Sequence, residues 1–600
     1  MNNLIYKMGP SLLRSAAERS LREGWGKGMN EFWSFVKDNI IGRDAIVETP
    51  FGERAMLYAD HTASGRSVRF IEDYLCSLLP YYGNTHTDDD FTGNFSTVLL
   101  EKAIERIKHL VHAGPHHKLM LVGSGATGAI QRLQQILGVY LPPATRARLC
   151  ATPAGEPDAE RFALLAHDFA DKRPVVFVGP YEHHSNEVTW RECFAEVVEI
   201  GLNAAGLIDL DDLAEKLGSP EYAGRQKIGS FSAASNVSGV RTDVYTIARM
   251  LHEAGALACF DFAALAPYVK IDIDRDEDSY FDAIFFSPHK FLGGPGGSGV
   301  LIIHDRIYRQ DLPPTHGGGG TVDFVNRSQQ HYLTNIEGRE MAGTPGISQA
   351  WKVALAMELK EKMNPEEIER RERELVKSAY ERISAEPNVE IIGTAAPADR
   401  IGILSFLVRH RGAYLHPRFV TRLLNDLFGI QSRGGCSCAG PYGHRLLSIG
   451  DERSEQYRQL ILHGVCGVKP GWTRITLHYL LTDEELDFLC EAVLFVAREG
   501  RYFLPLYTFD LSSGSWRHAD WDHREPSFGL DELLEKGTAA PPAIPAPERV
   551  AQMRTESLLE ARRWAGKLRS DYSESDIHTL AESPFPFEYF EDAARHDSTG

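Results

Sequence analysis

The 600-residue chain carries 64 Lys and Arg against 83 Asp and Glu, a formal net charge of −19, which argues against a nucleic-acid-binding surface. Its hydrophobic fraction of 43% is that of a soluble globular protein; no apolar run approaches the roughly 20 residues of a membrane span, and residues 1–10 lack a signal-peptide core, so a cytoplasmic location is expected. Eight cysteines are too few for a disulfide framework at this length, and 600 residues exceed one ordinary core, so two domains sharing a catalytic region, with appendages, are expected.

In chain order, residues 1–54 read as an N-terminal helical segment on a small domain, with Phe32, Phe35, Val36 and Ile40 at core-like spacing after Asn30 as cap. Residues 57–65 form a short strand breaking into a turn, and Tyr82-Gly83-Asn84-Thr85-His86-Thr87 a further loop. The apolar run 119–122 gives onto Gly123-Ser124-Gly125-Ala126-Thr127-Gly128, which opens a helix through Ile130, Leu133, Ile136 and Leu137. A strand, a small-residue turn and a helix N-terminus make an anion site, because free backbone N–H groups and the helix dipole converge there.

Residues 141–172 form an excursion rich in Pro, Ala and Asp, with no identifiable chemistry. A strand at 175–178 ends in Gly179-Pro180-Tyr181-Glu182-His183-His184-Ser185-Asn186. Adjacent histidines on a strand face opposite ways and no third ligand has metal spacing, which argues against a metal site. A strand at 228–233 leads to Ser235-Asn236-Val237-Ser238-Gly239, a helix spans 244–254, and a strand at 256–260 delivers Asp261, a carboxylate among apolar residues that needs a partner.

The stretch 281–299, F-D-A-I-F-F-S-P-H-K-F-L-G-G-P-G-G-S-G, carries Lys290 into a glycine-rich turn, with Ser287 and His289 before it. An ammonium among apolar strands either snorkels to solvent at the strand end or is used covalently, as in an imine with an aldehyde cofactor. His183, Asn236, Asp261 and Lys290 all follow strand ends, where ligands gather in a parallel sheet.

Beyond a glycine-rich loop at 316–321 and the tract Glu340-Met341-Ala342-Gly343-Thr344-Pro345, a helix starts at Asn364-Pro365 and runs to 384. A strand at 401–408 and a helix at 417–428 belong to a smaller α+β domain. Arg433-Gly434-Gly435-Cys436-Ser437-Cys438 could be a metal half-site or a pair of buried thiols. Arg474 lies in Trp472-Thr473-Arg474-Ile475-Thr476, and a helix begins at Asp483. A Pro/Ala linker occupies 538–547, and a following helix places Val550, Met553, Ala561, Trp564 and Leu568 on one face for docking on the body or on a partner.

On S-P-H-K with G-G-P-G-G-S-G-V-L, the E-H-H-x-N tract at 182–186, S-N-x-x-G at 235–239 and the arginine-to-cysteine tract at 433–438, the chain resembles the class V aminotransferases of fold type I, which bind pyridoxal 5'-phosphate (PLP). Among them it is similar to the cysteine desulfurases, Suf-type, over roughly residues 55–500. The resemblance implies an α/β fold: a PLP-dependent transferase with a mostly parallel central sheet, helices on both faces, and a smaller α+β domain. It implies a large PLP domain at 55–335, the small domain at 336–510 and a tail at 511–600.

It also implies roles. Lys290 is the covalent lysine; Gly125, Ala126 and Thr127 hold the phosphate; His183 stacks on the ring and serves proton transfer; Asn236 lies near the 3'-hydroxyl and Asp261 pairs with the ring nitrogen. Ser287 and His289 flank the cofactor, Thr344 reaches the phosphate in the other subunit of a homodimer, Asn84 lines the substrate mouth, and Arg474 clamps the substrate carboxylate. Cys438, five residues after an arginine, is the nucleophile that takes sulfur from L-cysteine, leaving alanine and a persulfide for a sulfur-acceptor protein. The R-x-G-C-x-C form is also similar to molybdenum-cofactor sulfurases, whose C-terminal domain has no counterpart here.

One departure stands out. The Suf-type D-x-A-Q is Asp261-Phe262-Ala263-Ala264 here, and alanine cannot hydrogen-bond the 3'-oxygen. Another class V enzyme (a C–S lyase, a selenocysteine lyase or an aminotransferase) and a non-catalytic binding protein of this fold are the competing readings.

Overall fold

Val175–Val178 is four consecutive apolar residues, all buried, as a strand covered on both faces must be. A computed structural model describes residues 28–85, 87–149, 172–522, 528–537, 544–572, 577–579 and 587–590. The chain divides into two units: residues 1–41, 64–140 and 265–369 form one, and residues 42–63, 141–264 and 370–600 the other.

In the first unit, Gly299–His304 lies between His117–Val122 and Ala283–Phe286 and runs antiparallel to both, with Val300 opposite Leu121 on one side and Phe286 on the other. Helix Gly125–Ile136 buries Ala126, Ala129, Ile130 and Leu133. Its start is pressed close to the sheet, for a Cβ on Gly299 would lie 2.4 Å from the Gly125 carbonyl oxygen. Helix Phe91–Leu110 is capped by Asp90, whose side chain accepts from Gly93 N.

The sequence reads as helical through residue 54, but the described part is helical only over Met29–Asp38. Its N-cap is Gly28 and not Asn30, which lies within the first turn. Residues 1–27 lie outside the described residues. Trp33 Nε1 donates to the Met363 carbonyl at 3.1 Å.

In the second unit, Leu257–Asp261, Lys227–Ser232, Val175–Val178 and Glu196–Glu199 run parallel in that order. Helix Val244–Glu253 connects two of them, capped by the Asp243 side chain. The carboxyl ends of these strands deliver the Glu182-His183-His184 tract, Asn236 and Asp261, as the alternation of apolar runs and helices predicts.

The same unit holds an antiparallel sheet in which Ile403–His410 pairs with Val389–Ile391 and Trp472–Thr476, and Arg433–Gly435 pairs with the far side of Trp472–Thr476. Helix Pro417–Phe428 buries Phe419, Leu423, Leu424 and Leu427 and stops at Gly429, whose φ of 70° suits glycine. Helix Asp483–Glu499 begins with a capping box between Thr482 and Glu485. Ile46–Thr49 and Gly52–Ala55 form an antiparallel hairpin where helix is expected; β-branched Ile46, Val47 and Thr49 ahead of Pro50 favour that outcome.

The terminal helix, Pro547–Asp571, docks on its own unit: Ala561, Ala565 and Leu568 enter the core that also contains Leu423, Ile475 and Phe495. The buried stripe is Val550, Met553, Ser557, Ala561, Ala565 and Leu568. Trp564, expected on that face, is 37% exposed and meets the Phe51 ring edge-on at its margin. Burial of Leu568 contributes about 1.5–3 kcal/mol. The linker expected at 538–547 and the excursion at 141–172 fall largely outside the described residues. No helix among the described residues is long and apolar enough to cross a membrane.

Candidate active site

The candidate residues fall in both units. In the first, the buried strand Ala283–Phe286 ends at Ser287, and Pro288–Lys290 makes a single 3₁₀ turn. Two glycines let backbone crowd this turn: a Cβ on Gly294 would lie 1.9 Å from the Pro288 carbonyl oxygen and one on Gly65 2.1 Å from that of Phe291. The His289 carbonyl accepts from Gly65 N at 2.8 Å and from Ser64 Oγ at 3.2 Å. Lys290 is half-buried. Burial, and then the Lys290 charge, lower the His289 pKa below the ordinary value.

Ser287 and the small-residue turn are in contact. Ala126 N donates to Ser287 Oγ at 2.9 Å. Gly125 has φ 58°, and a Cβ there would stand 2.7 Å from the same hydroxyl, so glycine is required twice over. Thr127 is exposed on the same first turn of the helix. Asn84 and Thr344, remote in sequence, also meet: Thr344 Oγ1 donates to Asn84 Oδ1 at 3.1 Å, both residues being exposed.

In the second unit, Glu182 ties two strand ends together. Its buried carboxylate accepts from Gly179 N, Ser232 N, Ser232 Oγ and Asn186 Nδ2. Burial pushes its pKa up to about 7, against the pull of these hydrogen bonds. The two histidines that follow are fixed in opposite senses. Ser185 N donates to His183 Nδ1 at 3.2 Å, so a neutral His183 carries its proton on Nε2. Gly440 N donates to His184 Nε2 at 2.8 Å, so a neutral His184 carries its proton on Nδ1. Burial, then Arg191, lower the His184 pKa.

The cysteine turn rests on these groups. His184 N donates to the Cys438 carbonyl at 2.8 Å, and Asn236 Nδ2 donates to the Ser437 carbonyl at 2.7 Å. Cys438 is exposed and Cys436 half-buried. Ser437 and Cys438 both adopt left-handed φ, 52° and 56°, uncommon for residues bearing a Cβ. Arg474 is buried, and its NH1 donates to the Asn236 carbonyl at 2.9 Å while its NH2 donates to Asp60 Oδ1 at 3.0 Å. Arg433 Nε donates to the other Asp60 oxygen at 3.0 Å. Asp261 is buried at its strand end, accepting from Ala263 N at Oδ1 (2.8 Å). Ala264 is buried too.

Asp60, Glu182 and the grip of His184 on the cysteine turn are the parts not assigned roles from sequence. The rule that singles out Asp261, a carboxylate at the end of an apolar strand that must find a partner, applies equally to Asp60 and Glu182.

The donor set suits a phosphorylated pyridine aldehyde. Asn236 Oδ1 is buried with no hydrogen-bond partner among the described residues, as an atom awaiting a ring hydroxyl would be. No side chain would fit at Gly125 beside Ser287 Oγ, and Asp261 presents a buried carboxylate. Residues 159–489, more than half of the chain, match the family Aminotransferase class-V. The chain belongs to that family.

Among its class V relatives, a probable cysteine desulfurase of Streptomyces coelicolor is 26% identical over 443 residues, 73% of this chain and 91% of the relative. One of Halalkalibacterium halodurans is 27% identical over 394 residues, 64% and 84%. The solved apo cysteine desulfurase of Thermococcus onnurineus NA1 matches with a TM-score of 0.57 at 21% identity, covering 74% of this chain and 95% of that one. Cysteine desulfurase CsdA of Escherichia coli matches with a TM-score of 0.54 at 21% identity over 78% and 98%. The likeness shows the PLP fold type I.

Proposed function

We propose that this class V protein is a PLP-dependent cysteine desulfurase that takes sulfur from L-cysteine to leave alanine and an enzyme persulfide. The observation that carries the reading is Cys438: an exposed thiol on a turn held by His184 and Asn236, both from strand ends that deliver candidate cofactor-binding residues.

Gly125, Ala126 and Thr127 would hold the cofactor phosphate, Asn236 the ring hydroxyl, Asp261 the proton of the ring nitrogen, His183 the ring face, with Ser287 and His289 flanking Lys290. PLP, when bound, supplies the electron sink for chemistry at the substrate Cα. Arg474 binds the substrate carboxylate through its planar fork, in the mouth lined by Asn84. Lys290 Nζ takes the Cα proton, and a neutral His289 beside it adds no second positive charge. Cys438, as thiolate, attacks the substrate sulfur, and the carbon–sulfur bond breaks to give alanine and the Cys438 persulfide.

A homodimer completed by Thr344, a cytoplasmic location and a protein that accepts the persulfide sulfur are parts of the same proposal. The test is to incubate the PLP-loaded protein with L-cysteine and identify the products. Alanine, formed with a persulfide that early alkylation traps on Cys438 and that is absent in Cys438→Ala, is the expected outcome; pyruvate would identify a lyase, and sulfur release by Cys438→Ala at the parental rate would overturn the persulfide mechanism.

A further inference from the structure

The mechanism above uses one of the two thiols in the Cys-Ser-Cys tract. The other, Cys436, opens a four-residue turn that Ala439 N closes by donating to the Cys436 carbonyl at 3.2 Å. Both central residues of that turn, Ser437 and Cys438, have positive φ. That is the signature of the primed turns, in which glycine and asparagine are the usual occupants.

The turn is held in this conformation from three points. Asn236 holds the Ser437 carbonyl, His184 N holds the Cys438 carbonyl, and the His184 ring holds Gly440 N. On its N-terminal side Gly435 is in contact with Gly471, where an added Cβ would stand 2.6 Å from the Gly435 carbonyl carbon. Consecutive Cα atoms are about 3.8 Å apart, so a bend this tight sets the Cα atoms of Cys436 and Cys438 about 5–6 Å apart. A disulfide spans roughly 4.4–6.8 Å between Cα atoms. Cys436 is half-buried and Cys438 exposed, so neither thiol is sealed in the core, unlike Cys193, Cys259 and Cys490.

We infer that Cys436 is the resolving thiol for the sulfur carried by Cys438. The inference rests on the desulfurase reading of Cys438 and deepens it. The Cys436 thiolate attacks the inner sulfur of the Cys438 persulfide. One sulfur–sulfur bond forms between the two cysteines as the persulfide bond breaks, and the outer sulfur leaves with the bonding electron pair as hydrosulfide. The proton of the Cys436 thiol passes to solvent. The sulfane sulfur is reduced and the two thiol sulfurs are oxidised to a disulfide, so no outside oxidant enters. Hydrosulfide, the conjugate base of a stronger acid than an alkyl thiol, is the faster leaving group. An external thiol then returns the disulfide to the dithiol for the next cycle.

The experiment uses the full-length, PLP-loaded protein, reduced, freed of reductant and given one equivalent of L-cysteine. Alanine, hydrosulfide and intact mass are measured. The parent forms alanine and hydrosulfide in equal amounts, loses two hydrogens, and yields a peptide cross-linked between Cys436 and Cys438. Cys436→Ser forms alanine once, keeps one added sulfur on Cys438, and releases hydrosulfide about tenfold more slowly. A parent that retains the added sulfur beside a titratable Cys436 thiol, or a Cys436→Ser variant that releases hydrosulfide at the parental rate, overturns the inference. A second arm installs the persulfide with inorganic polysulfide in place of L-cysteine. If no alanine forms in the first arm, the desulfurase reading fails by itself. The polysulfide arm still decides the resolving step, by cross-linking in the parent or by retention of the sulfur.

Discussion

Asp60 and Arg474, 414 positions apart in the chain, form a buried ion pair at 3.0 Å whose carboxylate is shared with Arg433. The arginine proposed to bind the substrate carboxylate is thus aligned by a resident carboxylate. The arginine that leads into the cysteine turn is aligned by the other oxygen of the same group. Replacing Asp60 by Asn leaves the buried Arg474 guanidinium, and the exposed one of Arg433, without this counter-charge. Removing one partner of such a pair costs about 3–5 kcal/mol, and a conservative amide recovers part of it. Urea unfolding of Asp60→Asn should show a loss of about 3 kcal/mol. Its KM for L-cysteine should rise about tenfold, with a smaller change in kcat, because a charge-assisted hydrogen bond is worth about 1.5–3 kcal/mol. An unchanged KM would show that Asp60 does not align Arg474 for substrate.

Glu182 gives the fold a pH dependence of defined sign. Its pKa in the folded protein is raised from 4.5 to about 7 by burial, so the folded state holds this proton more tightly than the unfolded chain. The contribution is complete below about 4.5 and is lost as pH rises through about 7. It amounts to about 3 kcal/mol. Glu182→Gln keeps the hydrogen-bonding shape and cannot ionise. The difference in unfolding free energy between variant and parent should therefore grow in favour of the variant from pH 4.5 to pH 7.5. A difference that stays flat across that interval would remove Glu182 as its source.

At the turn proposed to hold the phosphate, Gly125→Ala places a Cβ against Ser287 Oγ and asks alanine to adopt a φ of 58°. Left-handed backbone costs a residue with a Cβ about 1–2 kcal/mol. PLP retention, measured by equilibrium dialysis of the apo protein, should weaken about tenfold, since 1.4 kcal/mol is a factor of ten. Ser287→Ala removes only the acceptor for Ala126 N and should weaken retention less.

The terminal helix is integral to its unit. Leu568 is 2% exposed within the core, and Leu568→Ala should lower the unfolding free energy by about 2–5 kcal/mol. Trp564→Ala, at the exposed margin of the same helix, should cost less. A larger effect at Trp564 than at Leu568 would contradict the observed docking face.

Much of the sheet was legible because a strand covered on both faces must be an unbroken apolar run, as at Val175–Val178 and Ala283–Phe286. The residues placed at the ends of those runs could therefore be named from order alone. The partners of Asp60 could not, because local patterning carries no information across the 373 positions to Arg433. Neither could the left-handed pair at Ser437 and Cys438, since serine and cysteine give no signal of positive φ and tertiary hydrogen bonds impose it. The hairpin at Ile46–Thr49 was obscured by the helical periodicity just before it. Trp564 was misplaced because a large apolar side chain drew the face toward itself, whereas the small Ala565 is what close helix packing selects.

His184 grips the cysteine turn with its main-chain N–H and with its ring, across 256 positions of sequence at Gly440. A thiol anchored in this way has no swinging arm. On the proposed reading, whatever takes up the sulfur, as the persulfide or as the hydrosulfide released by Cys436, must come to Cys438 at the surface, so a recipient of the persulfide has to be small enough, or slender enough at its reactive tip, to make the visit itself.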